Sequence, residues 1–152
     1  MNTISSLESA TAVVTGATGF IGSHLVDYLI EHGCIVHALV RETSDRRWLN
    51  KSDQVKVHTI DLLKNSPITC LQKADYLFHC AGLTKAKTRD DYFSGNVDSC
   101  EMLYERCLSI GANLKAIVHL SSLAAAGPSI MGEPAQEKNS CKPVTYYGES
   151  KL

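Results

Sequence analysis

The segment Thr15 to Leu25, Thr-Gly-Ala-Thr-Gly-Phe-Ile-Gly-Ser-His-Leu, constrains the fold more than any other stretch of the chain. It sets three glycines between an apolar run, Ala12 to Val14, and an amphipathic run, Phe20 to Ile30, and so reads as strand, tight turn and helix. Each glycine has its own task. Gly16 supplies the torsions of the turn, Gly19 lets main chain approach a ligand with no Cβ in the way, and Gly22 lets helix pack closely on strand. The first amides of the helix have no intrahelical partners, and the positive end of its dipole faces the turn. That arrangement suits a pyrophosphate, hence a dinucleotide, with Gly16, Thr18, Gly19, Phe20, Ile21 and Gly22 as the contacting residues. For the triplet taken alone, a strand-to-helix turn without ligand is the alternative.

A chain of 152 residues suits one domain and buries about 68–70% of its unfolded surface, enough for a sizeable core. A net charge of -1 argues against nucleic acid or an anionic membrane as the main partner. No apolar run approaches membrane-spanning length, and Met1 to Ser9 lacks the basic start and apolar stretch of a signal peptide, so a cytoplasmic soluble protein is expected. The six cysteines include no Cys-x-x-Cys pair and read as reduced thiols; Cys100 and Cys107 share one helix face. His24, His32 and His37 lack metal-ligand spacing, and no metal is expected.

Down the chain, Ile21, Leu25, Tyr28 and Leu29 follow helical spacing, Gly33 stops the helix, and Ile35 to Val40 forms a second strand, completing a right-handed parallel βαβ unit. That strand ends in Arg41, where a carboxylate would bind ribose hydroxyls and an arginine pairs instead with a 2′-phosphate. Arg41, with Ser44 and Arg46 or Arg47 as further contacts, points to NADP, with NAD as the alternative because Glu42 is adjacent. The other reading is a solvated loop leading into a helix around Trp48. Val55 to Ile60 is a third strand, ending at Asp61-Leu62, where a helix N-cap is one reading of Asp61, and Pro67 to Lys73 a short crossover helix. Tyr76 to Cys80 is the fourth strand, and the small residues Cys80, Ala81 and Gly82 allow backbone to lie against a ribose and nicotinamide, or form a plain tight turn. Asp91 to Ile110 reads as one long helix, Ala116 to Leu120 as the fifth strand, and Ala124 to Pro143 as a long loop over a site. Ser122, at the carboxyl edge of the sheet, is either a substrate-binding hydroxyl or a turn serine. Tyr147 and Lys151 are four apart, on one helix face. A free phenol has a pKa of about 10, and a neighbouring ammonium favours the phenolate.

The ordered set Thr15 to Leu25, Arg41, Asp61, His79 to Gly82, Asn96, Ser122 and Tyr147/Lys151 resembles the extended short-chain dehydrogenase/reductases, which include sugar-nucleotide epimerases, dehydratases and dihydroflavonol-reductase-like enzymes. The resemblance covers nearly the whole chain. It implies a Rossmann-type α/β fold, an αβα sandwich with parallel strand order 3-2-1-4-5. It also implies that Asp61 and Leu62 lie at the adenine, that Asn96 braces active-site backbone, and that Tyr147 is general acid or base. Lys151 would bind the nicotinamide ribose and Ser122 position the reacting oxygen of a nucleotide-sugar or small carbonyl substrate. Relatives often dimerise, making a homodimer the candidate assembly. The family's Gly-Thr after Asn-Val is Ser99-Cys100 here. Family members continue for about as long again, so the chain is expected to be an amino-terminal fragment or a gene product truncated relative to its relatives, lacking the later strands and the substrate-binding region, with a cofactor site but weak or absent catalysis. A non-catalytic dinucleotide-binding module and an interaction protein reusing the fold are the competing readings.

Overall fold

The computed structural model describes residues 7–129 and 133–152. They fall into two compact units, one running to Ala81 and resuming over Met102–Leu120, the other made of Gly82–Glu101 and Ser121–Leu152.

The first unit holds β1 (Thr11–Thr15), α1 (Phe20–Glu31), β2 (Ile35–Val40), β3 (Val55–Thr59), a 3₁₀ turn (Thr69–Lys73), β4 (Tyr76–His79) and β5 (Ala116–His119). The five strands are parallel, in the order β3-β2-β1-β4-β5, which is the Rossmann-type arrangement. The central strand β1 shows why its sequence is an uninterrupted apolar run. Ala12 and Val14 face Val26 and Leu29 of α1, whereas Val13 faces a second core with Leu71, Leu77 and Leu103. A strand buried on both faces has no place for a polar side chain. At the margin of the sheet the pattern reverses: every residue of β5 is exposed.

Helix α1 buries a different face from the one its apolar residues suggest. Gly22, Ser23, Val26 and Leu29 are buried, while Ile21 is 52% and Tyr28 45% exposed. The cause is Gly22, where a Cβ would stand 2.1 Å from the Gly16 carbonyl oxygen, so the helix turns this position onto the turn below it. No helix forms around Trp48, and residues 41–54 remain a loop of turns.

The second unit opens with α2 (Arg89–Phe93), continues through a π-helical segment (Ser94–Asp98), and enters α3 (Ser99–Ser109), whose later residues belong to the first unit. The long helix expected over Asp91 to Ile110 is therefore interrupted by one wider turn. After β5 come α4 (Leu123–Ala126) and α5 (Tyr146–Ser150). Helix α4 takes the start of the expected loop; residues 130–132 of that loop lie outside the described residues. The Lys142 amide donates to the Ala126 carbonyl at 3.0 Å, pinning its two ends.

The entrance of the sheet is tied by one carboxylate. Asp75 Oδ2 accepts from the Thr11 amide at 2.8 Å, and Oδ1 lies 2.8 Å from Lys115 Nζ. Hydrogen bonds from Lys115 and then from Thr11 hold the Asp75 carboxyl below the ordinary carboxylate range. A group whose folded pKa is depressed stabilises fully above its unfolded pKa and loses that contribution as pH falls through the folded value. Asp75→Asn is therefore expected to lower stability by about 1 kcal/mol at neutral pH. Urea denaturation should show the deficit shrinking toward about pH 3; a deficit undiminished in acid would contradict this role.

Candidate functional site

In the first unit the turn between β1 and α1 is built by backbone fit. Gly16 has φ +65°, and a Cβ on it would lie 2.7 Å from the Ala81 amide nitrogen. The Gly19 amide donates to the Gly16 carbonyl at 2.9 Å, closing the loop. Gly19 is the N-cap of α1, with no side-chain cap and no acid in the first turn. The contrast with α2, α4 and α5 is chemical: Thr88, Ser122 and Thr145 each cap their helix with a hydroxyl. A Cβ on Gly19 would meet only the Gly16 carbonyl oxygen, at 3.3 Å, and Thr18, Phe20 and Ile21 flank it. An uncapped helix start beside an open glycine fits a pyrophosphate.

Thr15, at the end of β1, links this turn to the end of β4. Its Oγ1 accepts from the Ala81 amide at 3.1 Å and lies 2.7 Å from His79 Nδ1, while its carbonyl accepts from the Cys80 amide at 3.3 Å. In the sequence the signal for this role of Thr15 is a hydroxyl ending an otherwise apolar central strand.

Beyond β2, the Arg41 amide donates to Ser44 Oγ at 3.0 Å. Arg46 donates to Thr59 Oγ1 at 3.1 Å, and Arg47 pairs with Asp45 at 2.5 Å. Among the described residues Arg41 makes no ion pair, so of the three arginines it is the one not engaged locally. Asp61 caps no helix. Its Oδ1 accepts from the Leu63 amide at 3.1 Å in a local turn, and Leu62 packs on the second core.

In the second unit Asn96 is the organising side chain. It is 4% exposed, its Oδ1 accepts from the Leu83 amide at 2.6 Å, and its Nδ2 donates to the Leu83 carbonyl at 3.1 Å and to Ser150 Oγ at 2.8 Å. It sits within the π-helical segment, a wider turn of the kind often found at functional sites. Lys151 is 7% exposed, and a Cβ on Gly82 would lie 3.2 Å from Asn96 Oδ1 and 3.4 Å from Lys151 Nζ. Gly82, Asn96, Ser150 and Lys151 are thus gathered at one place. The turn carrying Tyr147 starts at Thr145, whose Oγ1 accepts from the Gly148 amide at 3.0 Å. It is held by Arg89 on Glu149 at 3.1 Å and by Ser121 Oγ donating to the Lys151 carbonyl at 2.5 Å. The Tyr147 ring lies 6.0 Å from that of Tyr92. Ser122 Oγ accepts from the Ala124 amide at 3.2 Å, which leaves its own proton to donate. Ser121, Thr145 and Ser150 were missed from sequence; short polar residues beside a Tyr-x-x-x-Lys pattern were the only cue.

Comparisons with known proteins bear on the fold and the family. The model of the NAD dependent epimerase/dehydratase family matches residues 12–152. The ceramide reductase of Caulobacter vibrioides is 34% identical over 126 residues, 82% of this chain and 38% of its own length. Among solved structures, UDP-N-acetylglucosamine 4-epimerase from Methanobrevibacter ruminantium M1 superposes with TM-score 0.84 at 28% identity, covering 95% of this chain and 47% of that one. MoeE5, solved in complex with UDP-glucuronic acid and NAD, gives TM-score 0.79 at 30% identity over 93% of this chain and 46% of its own. The chain therefore spans less than half the length of these proteins.

Asn96→Ala removes three hydrogen bonds and leaves the Leu83 peptide short of partners, with an expected cost of about 2–4 kcal/mol. Hydrogen exchange at the Leu83 amide should accelerate in step. Unchanged protection there would contradict the bracing role.

Proposed function

Because the chain belongs to the NAD dependent epimerase/dehydratase family, we propose that it serves hydride transfer between a nicotinamide dinucleotide and a substrate carbon bearing hydroxyl or carbonyl oxygen. The observation that carries this reading is the buried Lys151 beside Gly82 and Asn96, at the end of the capped turn that presents Tyr147. A buried lysine beside the small residues after β4 suits a hold on the nicotinamide ribose.

The cofactor supplies the hydride chemistry when bound. What this chain supplies is position and protons. The glycine turn and first-turn amides of α1 hold the pyrophosphate. Tyr147 Oη holds the proton exchanged with the substrate oxygen, Lys151 binds the nicotinamide ribose, and the Ser122 hydroxyl donates to the same oxygen as Tyr147. Asn96 acts through Leu83 and Ser150 and is a positioning residue. A nucleotide-sugar or small carbonyl compound is the proposed substrate class, in keeping with the epimerases and the reductase that the chain resembles.

For the cofactor we propose NADP, on the strength of Arg41, an exposed guanidinium at the end of β2 with no local ion pair. Asp61 and Leu62 at the end of β3 are proposed for the adenine, and Cys80 and Ala81 for the ribose.

Two measurements test these assignments. Fluorescence titration should give tighter binding of NADPH than of NADH, with Arg41→Ala weakening NADPH about tenfold or more and leaving NADH little changed. Tighter NADH binding in the wild-type chain would remove the NADP assignment. With a panel of carbonyl substrates, Tyr147→Phe should lower turnover by about 10²–10⁴-fold at unchanged cofactor affinity. Cofactor binding with no turnover in the wild-type chain would favour a dinucleotide-binding module instead.

A further inference from the structure

Three side chains outside the proposed cofactor site converge in the first unit. His37 on β2 and His58 on β3 point to the same face of the sheet. His37 is opposite Lys56, and His58 is two residues further along the same strand. Their rings stack with centroids 5.0 Å apart, and His37 Nδ1 lies 2.8 Å from His58 Nε2. Cys70, in the 3₁₀ turn after Pro67, packs against the second core on that face. One ligand atom from each of His37, His58 and Cys70 lies within 4.8 Å of the other two, and all three residues are half-buried.

We propose that His37, His58 and Cys70 form a binding site for one zinc-class divalent cation, with a solvent water completing the coordination. Tetrahedral zinc with bonds of about 2.0–2.3 Å needs ligand atoms about 3.3–3.6 Å apart. The 2.8 Å between the two imidazole nitrogens is shorter than that, and no spacing in the set exceeds 4.8 Å, so side-chain rotations are needed to complete the set. Two imidazoles and a thiolate are the ligands that borderline-soft cations prefer over magnesium or calcium.

The surroundings favour the neutral His37 ring that ligation needs and keep Cys70 a thiol until a cation displaces its proton. Two imidazole nitrogens facing each other at hydrogen-bond distance share one proton, and a cation between them replaces it. Burial, with the charges of His58 and Lys56, lowers the His37 pKa and keeps its ring neutral. Burial raises the Cys70 thiol, but the amides of Cys70 and Leu71 lie against the sulfur and oppose that rise. On binding, the thiol proton leaves to solvent and the thiolate remains on the metal. Lys56 is exposed, so water screens its charge from the site. The three ligands are 21 and 12 residues apart in sequence, which hides the set from any spacing rule and explains why the sequence reading expects no metal.

Cobalt(II) is the probe, because a cobalt–thiolate bond has a charge-transfer band in the near ultraviolet. Titration of the metal-free full chain is expected to saturate at one Co²⁺ per chain with that band, and Zn²⁺ should abolish it by displacement. Cys70→Ser should lose the band, and His58→Gln should weaken Co²⁺ binding by about tenfold or more, each with an unchanged far-ultraviolet circular dichroism spectrum. In the wild-type chain Zn²⁺ should also protect Cys70 from iodoacetamide, read by mass spectrometry, which keeps the test valid if a variant fails to fold. No band in the wild type, a band surviving in Cys70→Ser, or Cys70 alkylated at saturating Zn²⁺ would each overturn the proposal.

Discussion

The seating of Gly22 on the Gly16 carbonyl is the contact on which the rest of the first unit depends. A Cβ there would approach that oxygen to 2.1 Å, a distance no side chain tolerates, so only glycine lets α1 come this close to the turn. The contact sets the rotation of α1, which is why Val26 and Leu29 face the sheet and Ile21 and Tyr28 do not. It also sets where the uncapped amides point. The fold contact and the proposed pyrophosphate contact share the same few backbone atoms, so neither can be altered separately.

The two units are held by different forces. Both hydrophobic clusters among the described residues lie in the first unit, one on each face of the sheet. Apolar burial of this kind is non-directional and specifies a platform rather than the position of one atom. The second unit relies on directional bonds: Asn96 to both polar atoms of the Leu83 peptide and to Ser150, Arg89 to Glu149, Ser121 to the Lys151 carbonyl. Hydrogen bonds fix donors and acceptors to a few tenths of an ångström when buried and fully satisfied. Such a lattice suits a region that carries Tyr147, Lys151 and Ser122, the residues proposed for proton transfer and for positioning around it.

Much of this was legible in the residues themselves. The strand-turn-helix junction, the five strands and the role of Gly16 follow from apolar periodicity and glycine placement, because those patterns report local conformation directly. The interruption at Ser94–Asp98 did not show, since a helix with one wider turn keeps nearly the same apolar spacing as a continuous one. Which face of α1 is buried does not follow from the spacing of Ile21, Leu25, Tyr28 and Leu29, because hydrophobicity alone cannot report a glycine's steric demand. Ser121 and Thr145 were invisible for another reason: their partners are backbone groups, and backbone carries no sequence signal; Ser150 is met by the Asn96 side chain, 54 residues away in sequence.

The sequence by itself determined the architecture of the first unit and the order in which its chemical groups appear, because both arise from local rules of burial, turn geometry and spacing along one element. Tertiary structure alone decided which face of α1 is buried, which atoms Asn96 binds, which of three arginines stays unpaired, and that His37, His58 and Cys70 meet. Those outcomes depend on the approach of segments far apart in the chain, where strand register and packing distance, rather than residue type, choose the neighbours.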